Sequence, residues 1–231
     1  MSRAELPGDV RVLTDPIAMA ASAAEWVAAN SRGGDDFRVA ASGGTTPHFL
    51  YEALASSTFR DDIDWQRWHV FFGDERAVPP DDARSNYRLL TDTLLSRVLV
   101  PAEQVHRMEA ERADLDAAAR EYSDLLESQC GVPPRLDMVL LGLGADGHTA
   151  SLFPGTAALD VDDAWATRGR AAEAPVDRLT LTLPAINAAT RVAFLVTGAA
   201  KADALRGVVE GTVPAARVLP GSGELLWFLD T

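Results

Sequence analysis

Residues 140–156, LLGLGADGHTASLFPGT, combine glycines with two side chains that could do chemistry. The glycines match the G-x-G-x-x-G pattern, in which a loop holds a pyrophosphate on its backbone. The same loop carries Asp146 and His148, and histidine has a pKa near neutral pH that suits a general base. The stretch is therefore either a nucleotide-binding loop or part of a catalytic site.

The residues that follow the loop disfavour nucleotide binding. A dinucleotide-binding loop opens a long helix, whereas Pro154 and Gly155 interrupt the chain soon after the glycines. Acidic residues about 20 positions further on lie in 158–169, ALDVDDAWATRG, which we predict not to be a strand. Asp146 would also place a carboxylate beside the pyrophosphate. We favour the catalytic interpretation, in which Asp146 orients His148 or holds a substrate hydroxyl; the alternative is a turn with a structural histidine.

A stronger candidate for phosphate binding lies upstream, in residues 41–50, ASGGTTPHFL. The two glycines allow close approach of the backbone, and Thr45 or Thr46 could cap a helix with Pro47 in its first turn. The unpaired N–H groups of a helix N-terminus bind anions. On spacing alone, the segment is equally well explained as a capped strand–helix turn.

Charged side chains in two further segments could contact an anionic substrate. Asp74, Glu75 and Arg76 follow a predicted strand, and Arg88 lies in the next predicted helix. Arg76 could stabilise developing negative charge and Arg88 could hold a phosphate, although a surface salt-bridge cluster is the ordinary alternative. The single lysine among the 21 basic residues, at position 201, begins a predicted helix, where it suits a phosphate contact or a solvated surface.

The elements that must position these residues alternate along the chain. Apolar runs and helical periodicity predict strands at 37–42, 67–74, 136–143, 178–183, 191–198 and 224–230, and helices at 16–30, 46–56, 85–98, 113–129 and 201–211. This alternation predicts one α/β domain over residues 1–231, with an open, mostly parallel, Rossmann-like sheet flanked by helices on both faces. Ligands in such folds bind at the carboxyl ends of the strands, where the loops carrying the candidate residues lie.

Composition limits the partners and the compartment. The net charge of −13 disfavours nucleic acid and anionic membranes, so an anionic ligand would need a local basic cluster. No apolar run is long enough to span a bilayer, no signal peptide is recognisable, and the single cysteine, Cys130, fits a reducing compartment. We expect a cytoplasmic protein, a monomer or small homo-oligomer, with no cofactor and no metal, because no zinc-ligand spacing occurs.

Four segments in order resemble conserved blocks of the 6-phosphogluconolactonase family: SGGTTP, GDERAVPPDDARSNYRLL, LGLGADGHTASLFPGT and VTGAAKADAL. The resemblance extends from about residue 15 to Trp227. It implies the fold shared by glucosamine-6-phosphate deaminase and ribose-5-phosphate isomerase. It also implies hydrolysis of 6-phospho-D-glucono-1,5-lactone to 6-phospho-D-gluconate, the second step of the oxidative pentose phosphate pathway, without a cofactor.

The resemblance implies a role for each candidate residue. His148 would take a proton from the attacking water and pass it to the ring oxygen, with Asp146 positioning His148 or a sugar hydroxyl. Arg76 would stabilise the oxyanion, and an acid–base role for Asp74 stays open. The phosphate would lie among Ser42, Gly43, Gly44, Thr45, Arg88 and Lys201, with Arg76, Arg84 and Arg88 able to exchange roles.

Two other functions are compatible with the same fold. A deaminase or isomerase of this fold resembles D-G-H-I-A-F-N-E, in which a glutamate assists the histidine, whereas this chain has Phe153 at that position. Deaminases also have D-E-Y where this chain has Asp74, Glu75 and Arg76. A non-catalytic sugar-phosphate sensor would carry a DNA-binding segment or a damaged D-G-H, and this D-G-H is intact. The lactonase is therefore favoured.

Overall fold

The computed structural model describes residues 5–33, 36–170 and 176–230, in which strands and helices alternate as the sequence indicates. The strands are β1 (Asp9–Leu13), β2 (Phe37–Ala41), β3 (Trp68–Phe72), β4 (Asp74–Arg76), β5 (Met138–Gly142), β6 (Ala166–Gly169), β7 (Arg178–Leu181), β8 (Arg191–Val196) and β9 (Glu224–Asp230). The helices are α1 (Pro16–Ser31), α2 (Thr45–Leu54), α3 (Asn86–Thr93), α4 (Leu115–Cys130), α5 (Leu183–Asn187) and α6 (Ala202–Glu210).

Six strands form a parallel sheet in the order β1-β9-β8-β5-β2-β3, which confirms the predicted α/β class. Successive residues of a strand point to opposite faces. Almost every residue of β5 and β8 is buried, so both faces of the central strands are covered. The core includes Phe194 and Trp227 on neighbouring strands, whose rings stack with centroids 4.0 Å apart.

A second, three-stranded antiparallel sheet has the order β4-β7-β6 and was not predicted. The strand predicted at 67–74 stops at Phe72, and Gly73 separates it from β4, which pairs in the small sheet. The strand predicted at 178–183 forms β7 of this sheet. The expectation that 158–169 holds no strand was wrong, because residues 166–169 form β6 at the edge of the small sheet. Since β6 is not in the parallel sheet, it does not restore the nucleotide-binding pattern.

Side-chain caps explain where several helices begin. The Asp15 carboxylate accepts hydrogen bonds from the N–H groups of Ile17 and Ala18 at the start of α1, and Asp114 accepts from Ala117 at the start of α4. Helix α3 is shorter than the predicted 85–98. Near its end, the Thr93 hydroxyl donates to the carbonyl of Leu89, a bond from the side chain back into the helix that weakens helical continuation.

Within the described residues, no helix is both long enough and apolar enough to cross a membrane.

Candidate active site

Most of the candidate residues surround a cavity of about 270 Å³ at the carboxyl ends of the parallel strands. Its wall is made by residues 42–47 after β2, 142–144 after β5 and 195–197 at the end of β8. The small sheet contributes Asp74, Arg76 and Arg178. The parallel topology thus brings together loops that are far apart in the sequence, as the sequence analysis expected.

His148 lines this cavity, and its ring is held by Asp146. The distance from His148 Nδ1 to Asp146 Oδ1 is 2.5 Å, and the His148 N–H donates to the same oxygen at 3.2 Å. Partial burial acts to raise the pKa of Asp146, but the hydrogen bonds from His148 outweigh it and the pKa lies below its usual value. An ionised Asp146 fixes the proton on Nδ1, which leaves the Nε2 lone pair available as a base.

The glycines around this pair make room for it. A Cβ on Gly144 would lie 2.0 Å from His148 Nδ1 and 2.6 Å from Asp146 Oδ1. Gly147 has φ of +78°, and a Cβ there would lie 2.3 Å from Cβ of Val213. Gly144 is therefore explained by packing against the histidine–carboxylate pair, and Gly147 by its positive φ and its contact with Val213.

Phe153, the residue at the position of the deaminase glutamate, contacts the ring of His148. The two ring centroids are 4.5 Å apart with an interplanar angle of 43°. The same phenyl ring lies 5.3 Å from Cζ of Arg178. The histidine therefore has one carboxylate neighbour, Asp146, and an aromatic ring where a deaminase would supply a second carboxylate.

Asp74 is buried at the cavity wall, and both of its carboxylate oxygens are hydrogen-bonded. Oδ1 accepts from Nδ2 of Asn86 at 3.0 Å, and Oδ2 accepts from the Ser151 hydroxyl at 2.5 Å. The Nη1 atom of Arg178 lies 3.6 Å from Oδ2. Both carboxylate oxygens of Asp74 therefore bind neighbouring side chains.

Arg178 is a site residue that the sequence analysis missed. It lies on β7 directly opposite Arg76 on β4, so two guanidinium groups stand side by side at the cavity. The Nε atoms of both arginines are buried without a hydrogen-bond partner among the described residues. Burial lowers the pKa of Arg178. Two adjacent cations with unused donors form a site that an anion would stabilise.

Lys201 also lines the cavity, from the turn before α6, and has no salt-bridge partner in the described part of the chain. With Arg76 and Arg178 it gives three positive side chains against one negative side chain, Asp74, in the cavity wall. The local charge is therefore opposite to the net charge of −13. This is the basic cluster that an anionic ligand requires.

Arg88 and Arg84 do not reach the cavity. Arg88 Nη1 donates to the carbonyl of Asp81 at 2.7 Å, and its Nε lies 3.4 Å from Asp92. Arg84 forms a two-pronged pair with Asp82. Asn86 and Leu90 occupy buried positions of α3. Arg88 lies two positions from each of them and is therefore on the opposite face of the helix. This geometry places the Arg88 side chain away from the expected phosphate position.

The 42–47 loop reaches the cavity with free backbone donors. Helix α2 begins at Thr45 after Gly44, whose φ is +104°, and no side chain caps it, contrary to the expected threonine cap. Ser42 is held by the buried Tyr51 hydroxyl, which donates to its carbonyl and accepts from its N–H. The uncapped N-terminus of α2 therefore faces the cavity as an anion-binding element.

Gly43 and Glu75 explain how this loop is fixed relative to the small sheet. A Cβ on Gly43 would lie 1.7 Å from Oδ1 of Asn86, so Asn86 packs directly on the loop. The buried Glu75 carboxylate accepts from the N–H groups of Asn86 and Tyr87 and from the Ser85 hydroxyl, at 2.8–2.9 Å. Burial raises the pKa of Glu75, against the effect of these donors. The carboxylate attaches β4 to the start of α3.

Comparisons with known proteins give one consistent result. The family model for glucosamine-6-phosphate isomerases/6-phosphogluconolactonase matches residues 14–227. A 6-phosphogluconolactonase of Synechocystis sp. is 43% identical over 200 residues, 83% of this chain and 81% of the relative. One of Nostoc sp. is 43% identical over 202 residues, 84% and 82% of the two chains. The structure of 6-phosphogluconolactonase from Trypanosoma brucei has a TM-score of 0.84 at 27% identity and covers 98% of this chain and 97% of that one.

Proposed function

The chain belongs to the glucosamine-6-phosphate isomerase/6-phosphogluconolactonase family, and we propose that it hydrolyses 6-phospho-D-glucono-1,5-lactone to 6-phospho-D-gluconate in the cavity described above. The observation that carries this proposal is the His148–Asp146 pair in a cavity lined by three cationic side chains. The pair supplies a base, and the cations supply affinity for a phosphorylated substrate. The relatives named above bear the name of this activity.

The phosphate binds at the N-terminus of α2. The backbone donors of Gly44 and Thr45 and the hydroxyl of Ser42 lie on one wall of the cavity, and Lys201 adds a positive charge. Arg178 takes the role that the sequence analysis gave to Arg88, because Arg178 lines the cavity and has an unpartnered buried Nε.

His148 acts as the general base. Its Nε2 takes a proton from water while the water oxygen attacks the lactone carbonyl carbon. The intermediate collapses by cleavage of the bond between the carbonyl carbon and the ring oxygen, and His148 returns the proton to that oxygen. Asp146 holds the ring and stabilises the imidazolium that exists between the two steps.

Arg76 stabilises the tetrahedral oxyanion. Its guanidinium is anchored because Nη1 donates to the carbonyl of Arg84 at 2.5 Å, and its Nε has no partner among the described residues. A fixed cation at the developing negative charge lowers the barrier without reorganisation during the reaction.

The deaminase or isomerase alternative needs a carboxylate that can move a proton between carbons. Asp74 is the acidic side chain of the cavity wall, and Asn86 and Ser151 occupy both of its oxygens. Phe153 replaces the second carboxylate beside the histidine. Both observations favour the lactonase over the deaminase.

The experiment that tests the proposal follows freshly generated 6-phosphogluconolactone at low temperature in buffer alone and with each protein. We expect the wild type to accelerate ring opening, His148→Ala to lose about 10²–10⁴-fold in kcat, and His48→Ala to match the wild type. His48 is a matched control because its ring pairs with Glu52 on α2 and does not line the cavity. A wild-type rate equal to that of buffer would reject the proposal. Release of ammonia from glucosamine 6-phosphate would instead support the deaminase.

The proposed partner is the sugar-phosphate lactone alone, without nucleic acid or membrane, as the negative net charge favours. Cytoplasmic location and a monomeric or small homo-oligomeric state stay predictions. Fractionation of cells and light scattering of the purified protein would check them.

A further inference from the structure

Phe153 is a buried aromatic residue outside the main apolar core. It is 5% exposed, yet within the described residues it is not a member of the contiguous hydrophobic core. Its ring instead contacts His148 and Arg178. Neither contact is the apolar packing that ordinarily justifies burial of a phenyl ring.

Each of these two partners lacks a complete set of polar restraints. Asp146 holds the edge of the His148 ring at Nδ1, and a ring held at one edge can still rotate about that hydrogen bond. For Arg178, Nη1 lies 3.5 Å from the Ser151 hydroxyl and 3.6 Å from Asp74, while Nε has no partner among the described residues. A flat ring against both groups supplies the missing restraint on their orientation.

The contact also has an electrostatic consequence. The face of an aromatic ring attracts cations. Arg178 is a cation throughout the reaction, and His148 becomes one when it takes the proton from water. A ring next to both groups stabilises the imidazolium without placing a second carboxylate beside it.

We propose that Phe153 is a positioning residue that sets the orientation of the His148 base and of the Arg178 cation. This inference rests on the proposed function of His148, since it assigns the ring a role in that residue's proton transfer. The other charged groups of the site are Asp146 on the same loop, Asp74 and Arg76 on β4 and Lys201 before α6. A change at Phe153 removes none of these charged groups, so a shift in the titration of His148 would result from the loss of the aromatic ring.

The test replaces Phe153 with Leu, which keeps an apolar side chain and removes the ring, and with Tyr, which keeps the ring. Phe59→Leu is the matched control, because Phe59 packs against the core and does not line the cavity. We expect Phe153→Leu to lower kcat about 10-fold and to shift the acid limb of the pH–rate profile down by about half a pH unit. We expect Phe153→Tyr to keep most of the wild-type kcat and pH–rate profile, and Phe59→Leu to change neither kcat nor the profile.

A second readout does not depend on turnover. The chain has four histidines, so the titration of His148 can be followed by NMR and assigned with His148→Gln. If the His148 pKa and kcat are unchanged in a folded Phe153→Leu protein, the inference is wrong even if the wild type is an active lactonase. If the wild type has no lactonase activity but the His148 pKa still falls in Phe153→Leu, the proposed function fails while the positioning role stands.

Discussion

Replacement of Gly144 by Ala tests whether the glycine loop exists to hold a catalytic pair. The new Cβ would lie 2.0 Å from His148 Nδ1, whereas ordinary contacts begin at 3.4 Å, so the ring must move by about 1.4 Å. The same Cβ would lie 2.6 Å from Asp146 Oδ1. Both atoms of the 2.5 Å hydrogen bond are therefore displaced together.

The magnitude follows from the size of this displacement. A misplacement of about 1 Å at a reacting group costs about 10²-fold in rate, equivalent to about 2.7 kcal/mol. The φ of Gly144 is outside the left-handed region, and the clash is with side-chain atoms that can rotate away. We therefore expect kcat to fall at least about 10²-fold while the free energy of unfolding changes by less than about 1 kcal/mol.

The assay compares initial rates of lactone opening and urea unfolding for the wild type, Gly144→Ala and Gly221→Ala. Gly221 has open space around its Cβ position and lies outside the cavity wall, so its replacement controls for the glycine-to-alanine change. A folded Gly144→Ala protein with kcat within threefold of the wild type would refute the reasoning. His148 would then not need the observed orientation, and the loop would need another explanation.

Two further predictions concern the cations and acid stability. Arg178→Ala is expected to raise KM about 10–100-fold with a smaller effect on kcat, whereas Arg88→Ala changes KM by less than threefold; steady-state kinetics in which Arg88→Ala gave the larger effect would restore the original assignment. Burial, with the neighbouring His69, lowers the pKa of His106 from 6.5 to about 4, so the folded state resists protonation that the unfolded chain accepts. The contribution of neutral His106 to the free energy of unfolding is therefore complete above pH 6.5 and is lost as pH falls toward 4. The loss is roughly 1–2 kcal/mol at pH 4.5 after allowance for partial exposure. Urea unfolding at pH 7 and 4.5 should show a smaller loss for His106→Gln than for the wild type, and equal losses would contradict the assignment.

Local sequence patterns are sufficient to predict the strands and helices whose own residues show an apolar run or a capping residue. The continuous apolar run at 136–143 predicts a strand buried on both faces, and β5 is one. Asp15 directly precedes Pro16, the first residue of α1, and its carboxylate caps the helix. By contrast, β1 was not predicted because it is a mostly exposed edge strand, so no buried apolar pattern indicated it.

The small sheet could not be inferred from local patterns. The alternation in 178–181 predicts a strand, but it does not state which sheet the strand joins or in which direction. Its partner β4 lies about a hundred residues earlier, and pairing over that distance leaves no local signal. For the same reason, no local pattern indicates that Arg178, the first residue of this strand, lies at the cavity.

The position of Arg88 in its helix bears on its expected role as a phosphate ligand. In SNYRLLTDT, Asn86, Leu90 and Thr93 are buried at helical spacing. Arg88 lies two positions from Asn86 and from Leu90, on the opposite face. Helical phase alone therefore argues against an Arg88 side chain that reaches the site, whereas the order of the conserved blocks does not distinguish one arginine from another.

The two sheets divide the chemistry between them. The proposed base, His148, comes from the loop after β5 of the parallel sheet, whereas Arg76 and Arg178 come from the small sheet. Hydrogen bonds that join the sheets near the site include Leu181 N–H to the carbonyl of Gly73, Ser151 N–H to the Thr180 hydroxyl, and the Ser151 hydroxyl to Asp74. The distance between His148 and the two arginines therefore depends on the position of the small sheet relative to the parallel sheet. A change in its residues could alter the ligand without moving the base, which is consistent with one family containing both isomerases and lactonases.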